Sequence, residues 1–291
     1  MKLYLKSIWM FMKCELEYRA SFIMSMIAST LSSFFSFLGV TILINRFGSI
    51  DGWSINEIML VLGIACFGHT STEMFCRGLD HFHKEIRKGL LDQILVRPRN
   101  ITFQVICSNF QASKIGRMIE YTMILIYGIS TSNIIWSPYK VLVLLFMIMG
   151  SMILFFSILL IKASFSFWSI EGMEAMNIVS DGGRDVASYP ISIYKKWFAN
   201  IFTYFIPFGC VNYYPLLYLL DKSEGKVWYG LLPLVTLIFL AFSFKIWDIG
   251  LKSYKSTGSW FNSRLNKWAY KEKRDYNKYV ALRNLSLYCH F

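Results

Sequence analysis

Six stretches of this chain are apolar over lengths that suit a bilayer, and this excludes most soluble folds, which need a polar exterior. Five are plain: 21–44, 58–75, 118–136, 141–168 and 228–249. The remaining one, between 171 and 220, is irregular. Its first part holds Glu171, Glu174, Asp181, Arg184 and Asp185 around Gly182 and Gly183, which a lipid-facing helix does not tolerate. Either a polar helix there is shielded by its neighbours and lines an aqueous path, or the segment is a solvent loop and the span count falls. Its second part is apolar but interrupted by Pro207, Gly209 and Pro215, the composition of an element whose freed backbone groups need protein or water partners. The expectation is an all-α integral membrane protein with six transmembrane helices and a broken or re-entrant element before the last span.

Three regions follow from this reading: an interfacial helix over 1–19, a transmembrane domain over 20–251 and a cytoplasmic tail over 252–291. In the first region Lys2, Lys6, Lys13 and Glu17 share one strip of a 3.6-residue period, while Leu3, Leu5, Ile8, Trp9, Phe11 and Met12 cover the rest, as in a helix lying in the membrane interface. The apolar run after it is about twice the length of a signal-peptide core and no small-residue cleavage site follows, so it reads as an uncleaved first span. In a soluble protein the net charge of +12 would suggest nucleic acid, but no nucleic-acid-binding module accompanies it. The orientation rule for membrane proteins explains it instead. With the N-terminus inside, Lys6, Lys13 and Arg19, then Arg77, Lys84, Arg87, Lys88, Arg97, Arg99, Lys114 and Arg117, then the tail, all fall on the cytoplasmic side. Arg46, Lys140, Lys222 and Lys226 are left outside. Both termini are then cytoplasmic, provided 171–220 makes one net crossing. The tail mixes Arg264, Lys267, Lys271, Lys273 and Arg274 with Trp260, Phe261, Trp268 and Tyr270, which suits anionic lipid headgroups or a solvated extension.

Several chemistries have no residues to carry them. There is no Gly-rich phosphate loop ending in Gly-Lys-Ser/Thr, no His-Glu-x-x-His and no Gly-x-Ser-x-Gly. The cysteines (Cys14, Cys66, Cys76, Cys107, Cys210, Cys289) form no Cys-x-x-Cys pair, so neither a metal site nor a disulfide framework is expected. His69 is the one histidine expected at depth, as an interhelical hydrogen-bond partner or as a contact for substrate or protons. With Glu73, Glu171, Asp181 and Arg184 it makes up the candidate substrate path.

The polar insertion 77–99, between the second and third spans, carries Glu85 four residues before Gly89, then Leu90-Leu91-Asp92, Leu95 and Pro98. Further along stand Phe167-Trp168, Tyr189-Pro190, Ile206-Pro207-Phe208, Asn212-Tyr213-Tyr214-Pro215 and Tyr254-Lys255-Ser256-Thr257-Gly258-Ser259. In order and spacing this set resembles the permease subunits of type-2, exporter-like ATP-binding-cassette (ABC) transporters, in the subgroup of multidrug-type and uncharacterised permeases. The resemblance covers about 1–259 and assigns nothing to 260–291. It implies that 1–19 is the connecting helix and 82–98 the coupling helix that docks on a separate ABC ATPase subunit. Glu85, Arg87, Gly89, Leu91 and Leu95 would meet that partner, and Pro98 would end the helix. It further implies export by alternating access in a bacterial cell membrane, with a second permease, identical or different, completing the pathway. ATP and Mg would be bound by the ATPase, leaving this chain without cofactor, metal or catalytic residues. Two other classes stand beside this reading. A stand-alone ion-coupled carrier would use the acidic cluster, but the chain lacks the internal two-half repeat of such carriers. A membrane enzyme would use His69 with an acidic residue.

Overall fold

A computed structural model of the chain describes residues 2–47, 51–132, 134–169, 173–222 and 226–254. Glu171 and the basic aromatic tail lie outside the described residues. Every regular element among the described residues is a helix.

Helix α1 (Lys2–Glu17) lies against the bundle: Tyr4 Oη donates to the Phe75 carbonyl over 2.8 Å, and Ile8, Phe11 and Met12 pack on Met74, Phe110 and Ala112. Leu5 and Trp9 stay exposed, as an interfacial helix requires. The chain bends at Tyr18 into α2 (Arg19–Phe47), which runs along the outside of the bundle and buries little of its apolar surface. After the Asp51-Gly52 turn, α3 (Ile55–Phe75) is the central element and is buried along most of its length. Its start is fixed by a capping box in which Ser54 N–H donates to Glu57 Oε2 over 3.0 Å.

The insertion then folds as three short helices, α4 (Arg77–Arg87), α5 (Leu91–Leu95) and α6 (Ile101–Ile106). Next come α7 (Ile115–Thr131) and α8 (Pro138–Phe165). Pro138 starts α8 where a missing N–H costs nothing, and Ser137 Oγ accepts from Lys140 N–H. The polar segment holds α9 (Met173–Ala187), α10 (Lys196–Asn200) and α11 (Tyr214–Leu219), the last two joined by wide π-type turns. Finally, a 3₁₀ stretch Val227–Leu234 containing Pro233 leads into α12 (Val235–Ser253).

Side-chain pairings fix the direction of each helix. At one end meet Trp53, Glu57, Tyr139, Lys140, Asp221, Lys222 and Val227; Lys140 pairs with Asp221 at 2.8 Å and Lys222 with Glu57 at 2.8 Å. At the other meet Glu73, Arg77, Asp80, Lys114, Arg117, Lys162, Phe167, Trp247 and Tyr254. Consequently α3, α8 and α12 run from the first end to this basic end, and α2 and α7 run back.

Four of the expected spans are helices long and apolar enough to cross a membrane: Arg19–Ile42, Ile55–Phe75, Pro138–Phe165 and Val227–Ser253. The third, α7, has 17 residues and ends at Thr131, short of the expected 136. The fifth differs more. At 15 residues α9 is about 22 Å long, less than the hydrocarbon thickness. Ser188, just past its end, stands 3.4 Å from Cys66 Sγ near the middle of α3. The chain then meets Trp53, whose Nε1 donates to Ser192 Oγ. It turns at 206–208, where Ile206 and Phe208 pack against Leu154, Phe155 and Ile158 midway along α8, and returns so that Leu216 and Leu219 join Val143 and Leu144 at the first end. This is a re-entrant excursion, and Asn212 Nδ2 closes it by donating to the Ala187 carbonyl over 3.1 Å.

The crossing of α3 on α7 depends on two glycines. A Cβ on Gly63 would stand 2.8 Å from Leu125 Cα, and one on Gly128 2.9 Å from Leu60 N, so the backbones meet with nothing between them. Gly128→Leu is therefore expected to lower the thermal midpoint of the detergent-solubilised protein or prevent its recovery, and Gly128→Ala to cost about 1–3 kcal/mol by overpacking. Gly39→Ala, with nothing within 4 Å of its Cβ, is the control and leaves the midpoint unchanged or raised.

Candidate functional site

The insertion has a buried face and an outward face. Leu79, Phe82 and Ile86, spaced 3 and 4 residues apart on α4, enter a cluster with Val105 of α6, Leu159, Leu160 and Ala163 of α8, and Trp247 of α12. At its centre Phe82, Phe167 and Trp247 form an aromatic triad with ring centroids 5.1–5.4 Å apart. Helix α4 stops at Gly89, whose φ of +69° is the left-handed conformation that glycine adopts without cost. Gly89 N–H donates to the Ile86 carbonyl and Leu90 N–H to that of Glu85, the paired bonds of a Schellman cap. The spacing of Glu85 and Gly89 is thus that of a helix end, and the single coupling helix expected over 82–98 is corrected to two helices with a turn between them.

The turn changes which leucine faces out. Leu91, expected among the partner contacts, is fully buried in the cluster with Phe82, while Leu90, Leu95 and Val96 are exposed, Val96 at 85%. Arg87, Lys88, Arg97, Pro98 and Arg99 surround them on the surface. Glu85 is half-buried and has one carboxylate oxygen enclosed without a hydrogen bond; burial raises its pKa and the Ser108 hydroxyl beside it opposes the rise. Its carboxylate lies beside Ser108 of the segment that leads back toward α7. Gln104 Nε2 donates to the Ile94 and Arg99 carbonyls, and Tyr254 Oη to Asp92, which holds the outward loop against α6 and the end of α12.

Above the insertion lies a compact ion cluster. Glu73, near the end of α3, receives Arg77 and Lys114 at 2.8 Å each and Arg117 at 3.7 Å. Arg77 also reaches Asp80 at 2.8 Å, and Asp80 takes Lys162 of α8 as well. Burial pushes the Asp80 carboxyl up, but Lys162 and Arg77 outweigh it and hold the group below the usual carboxylate value. Two carboxylates and four cations from α3, α4, α7 with its entry turn, and α8 are tied together here. Glu73, expected along a substrate path, is engaged in this cluster.

A cavity of about 380 Å³ opens between α2, α3, α7 and α9. Ser32, Ser33 and Ser36 line one side, Cys66 and Tyr121 the floor, and Arg117, Arg184, Asp185 and Ser188 the other walls. Of the residues expected along a path, Arg184 lines this cavity; its Nε and Nη2 donate to Asp185 Oδ1 at 3.0 and 2.7 Å. His69 and Asp181 form a separate pair 3.7 Å apart, with His69 packed edge-on against Phe155. Among the described residues of the acidic cluster, Asp181 pairs with His69 and Asp185 with Arg184, at separate places. Sequence reasoning missed the serine wall and Arg117, although Ser29, Ser32, Ser33 and Ser36 recur at helical spacing in the first span.

A family model described as ABC-2 family transporter protein matches residues 30–258. No curated protein and no solved structure matches the chain.

The insertion carries a pH-sensitive contact. Asn109 Nδ2 lies 3.0 Å from His81 Nδ1, so a neutral ring with its proton on Nε2 accepts the amide hydrogen. Burial, with Arg77 and then Lys84 beside it, lowers His81 from the ordinary 6.5 to about 4, against the opposing pull of Asp80. The unfolded chain takes this proton near 6.5 and the folded chain near 4, so stability present above 6.5 is lost as pH falls toward 4. Corrected for intrinsic rates, amide exchange in α4 and 107–111 is expected to be faster at pH 5 than at pH 7.5. His81→Gln should flatten that difference.

Proposed function

Because the chain belongs to the ABC-2 transporter family, we propose that this multi-pass membrane permease exports its substrate by alternating access, driven by a separate ATPase subunit docked on residues 77–99. The family match across most of the chain carries this reading. The insertion supports it physically. Its outward loop offers a small apolar step, Leu90, Leu95 and Val96, ringed by Arg87, Lys88, Arg97 and Arg99, which suits an apolar notch with an acidic rim. Its inward face grips α8 and α12 through the aromatic triad and α3 and α7 through the ion cluster, so a push on the loop moves four long helices together. Free energy comes from the partner's nucleotide cycle, with ATP and Mg held there. The basic end faces the cytoplasm in this arrangement, and the connecting helix α1 rides on its surface, pinned to the end of α3 by Tyr4. A second permease, the same chain or a homologous one, completes the pathway. Membrane lipid bathes α2.

Affinity purification of the full chain from native membranes in mild detergent, followed by mass spectrometry, tests the docking. A stoichiometric soluble protein carrying a Gly-x-x-x-x-Gly-Lys-Ser/Thr loop is expected. Leu95→Glu combined with Val96→Glu should cut its recovery at least about tenfold, since each buries a charge in an apolar contact. Undiminished recovery in that variant would remove the docking assignment. A monodisperse chain with no ATPase in wild type would favour an ion-coupled carrier instead.

A further inference from the structure

We propose that the cavity between α2, α3, α7 and α9 seats the anionic group, phosphate or carboxylate, of an amphiphile whose apolar part lies in the opening between α2 and α9. The volume, about 380 Å³, is within the range of sites that hold small ligands or lipid headgroups. Among its lining side chains two guanidinium groups, Arg117 and Arg184, face one carboxylate, Asp185, while Glu73 and Glu120 lie near Arg117 outside the lining. Arg184 is committed to that carboxylate, but Arg117 is not well used by the protein. Its Nε is buried with no hydrogen-bond partner among the described residues, its Nη2 reaches the Ser29 carbonyl only at 3.5 Å, and its Nη1 is 3.7 Å from Glu73. A guanidinium fork with spare donors at the edge of the hydrocarbon layer is matched in geometry by a planar or tetrahedral oxyanion.

The surrounding hydroxyls fit the same group. Ser33, Ser36 and Ser188 donate to carbonyls of their own helices, bonds that a hydroxyl exchanges for an anion by rotating about one torsion. Phe37, Val40 and Leu62 supply an apolar wall beside this polar floor. The cavity also has a lateral way in. Helix α9 packs on α3 and α8, and α2 packs on α7 and α3, so the gap between α2 and α9 faces the bilayer, with the exposed Phe35 of α2 on the flank away from α7. A cation or a fully polar solute would find neither the charge nor the apolar flank it needs.

As an assignment of cargo this rests on the transport reading, but retention of the ligand does not. Loss of the ATPase from purified complexes sinks that reading and leaves the cavity test unaffected. The test counts dodecyl phosphate molecules retained by the full chain, purified with its associated subunits, using intact-complex mass spectrometry, with dodecyl glucoside as the neutral decoy. Wild type should retain dodecyl phosphate and not the decoy. Arg117→Gln should weaken retention at least about tenfold, and Asp185→Asn, which removes the carboxylate facing the anion and frees Arg184 from its pair, should strengthen it several-fold. Should Arg117→Gln fail to give monodisperse protein, Asp185→Asn decides. Equal retention by the variants, or equal retention of dodecyl glucoside, overturns the proposal. Displacement of dodecyl phosphate by phosphatidylglycerol identifies a resident bilayer lipid as the source; persistence in its presence identifies an exported amphiphile; both uphold an anion-seating cavity.

Discussion

Charges at the edge of the hydrocarbon layer persist only where they are paired, and the Glu73–Asp80 cluster is where this chain meets that condition. Apolar contact alone would let α3, α7 and α8 slide, because lipid tails are as apolar as the side chains they would replace. The cluster removes that freedom. Glu73 and Asp80 are two turns apart on α3 and α4, and Arg77 between them bonds both, so the kink at Cys76 that separates the two helices is held at a set angle. Lys114 and Arg117 fix the start of α7 to it, and Lys162 fixes α8. Everything that happens at the insertion is passed to the spans through this knot and through the apolar cluster beneath it.

Two kinds of attachment act on the insertion. Phe82, Phe167 and Trp247 interlock rings from α4, the turn after α8 and α12; truncating such a ring costs about 3–5 kcal/mol. That attachment is apolar and does not depend on protonation. The contact between His81 and Asn109 does, and it holds the loop that leads back into α7. Besides the ion knot, the insertion is thus tied to the bundle by one apolar attachment and one protonation-dependent contact, and Lys84, Arg87, Lys88, Leu90 and 95–99 stay exposed on its surface.

The bundle was legible in the sequence because apolar runs of spanning length admit few structures in lipid, and the re-entrant turn because Pro207, Gly209 and Pro215 crowd into one apolar run whose freed backbone groups need protein or water partners. What could not be read was phase across a broken helix. Counting through Gly89 as though the helix continued puts Leu91 outside; the Schellman cap resets the rotation, and Leu91 turns inward while Leu90 and Val96 turn out. Partner choice among charges was hidden for a similar reason. Glu73 and Arg184 look alike as isolated charges in apolar sequence, and only the tertiary fold sends one to a cationic knot and the other to a cavity wall.

Arg117 belongs to both of these places, and that has a mechanical consequence. Its guanidinium spans the distance from the cavity to Glu73, with its contact to Glu73 the longest in the cluster. An anion seated in the proposed site would compete for the same group, which meets Glu73 only at 3.7 Å. Drawing Arg117 toward the cavity would leave Glu73 to Arg77 and Lys114, so that α7 would hold the hinge between α3 and α4 through the 2.8 Å contact of Lys114 alone. The insertion hangs from that hinge. Occupancy of the proposed anion site would then loosen one of the two ties between α7 and the hinge, since Arg117 cannot satisfy both of its partners at once.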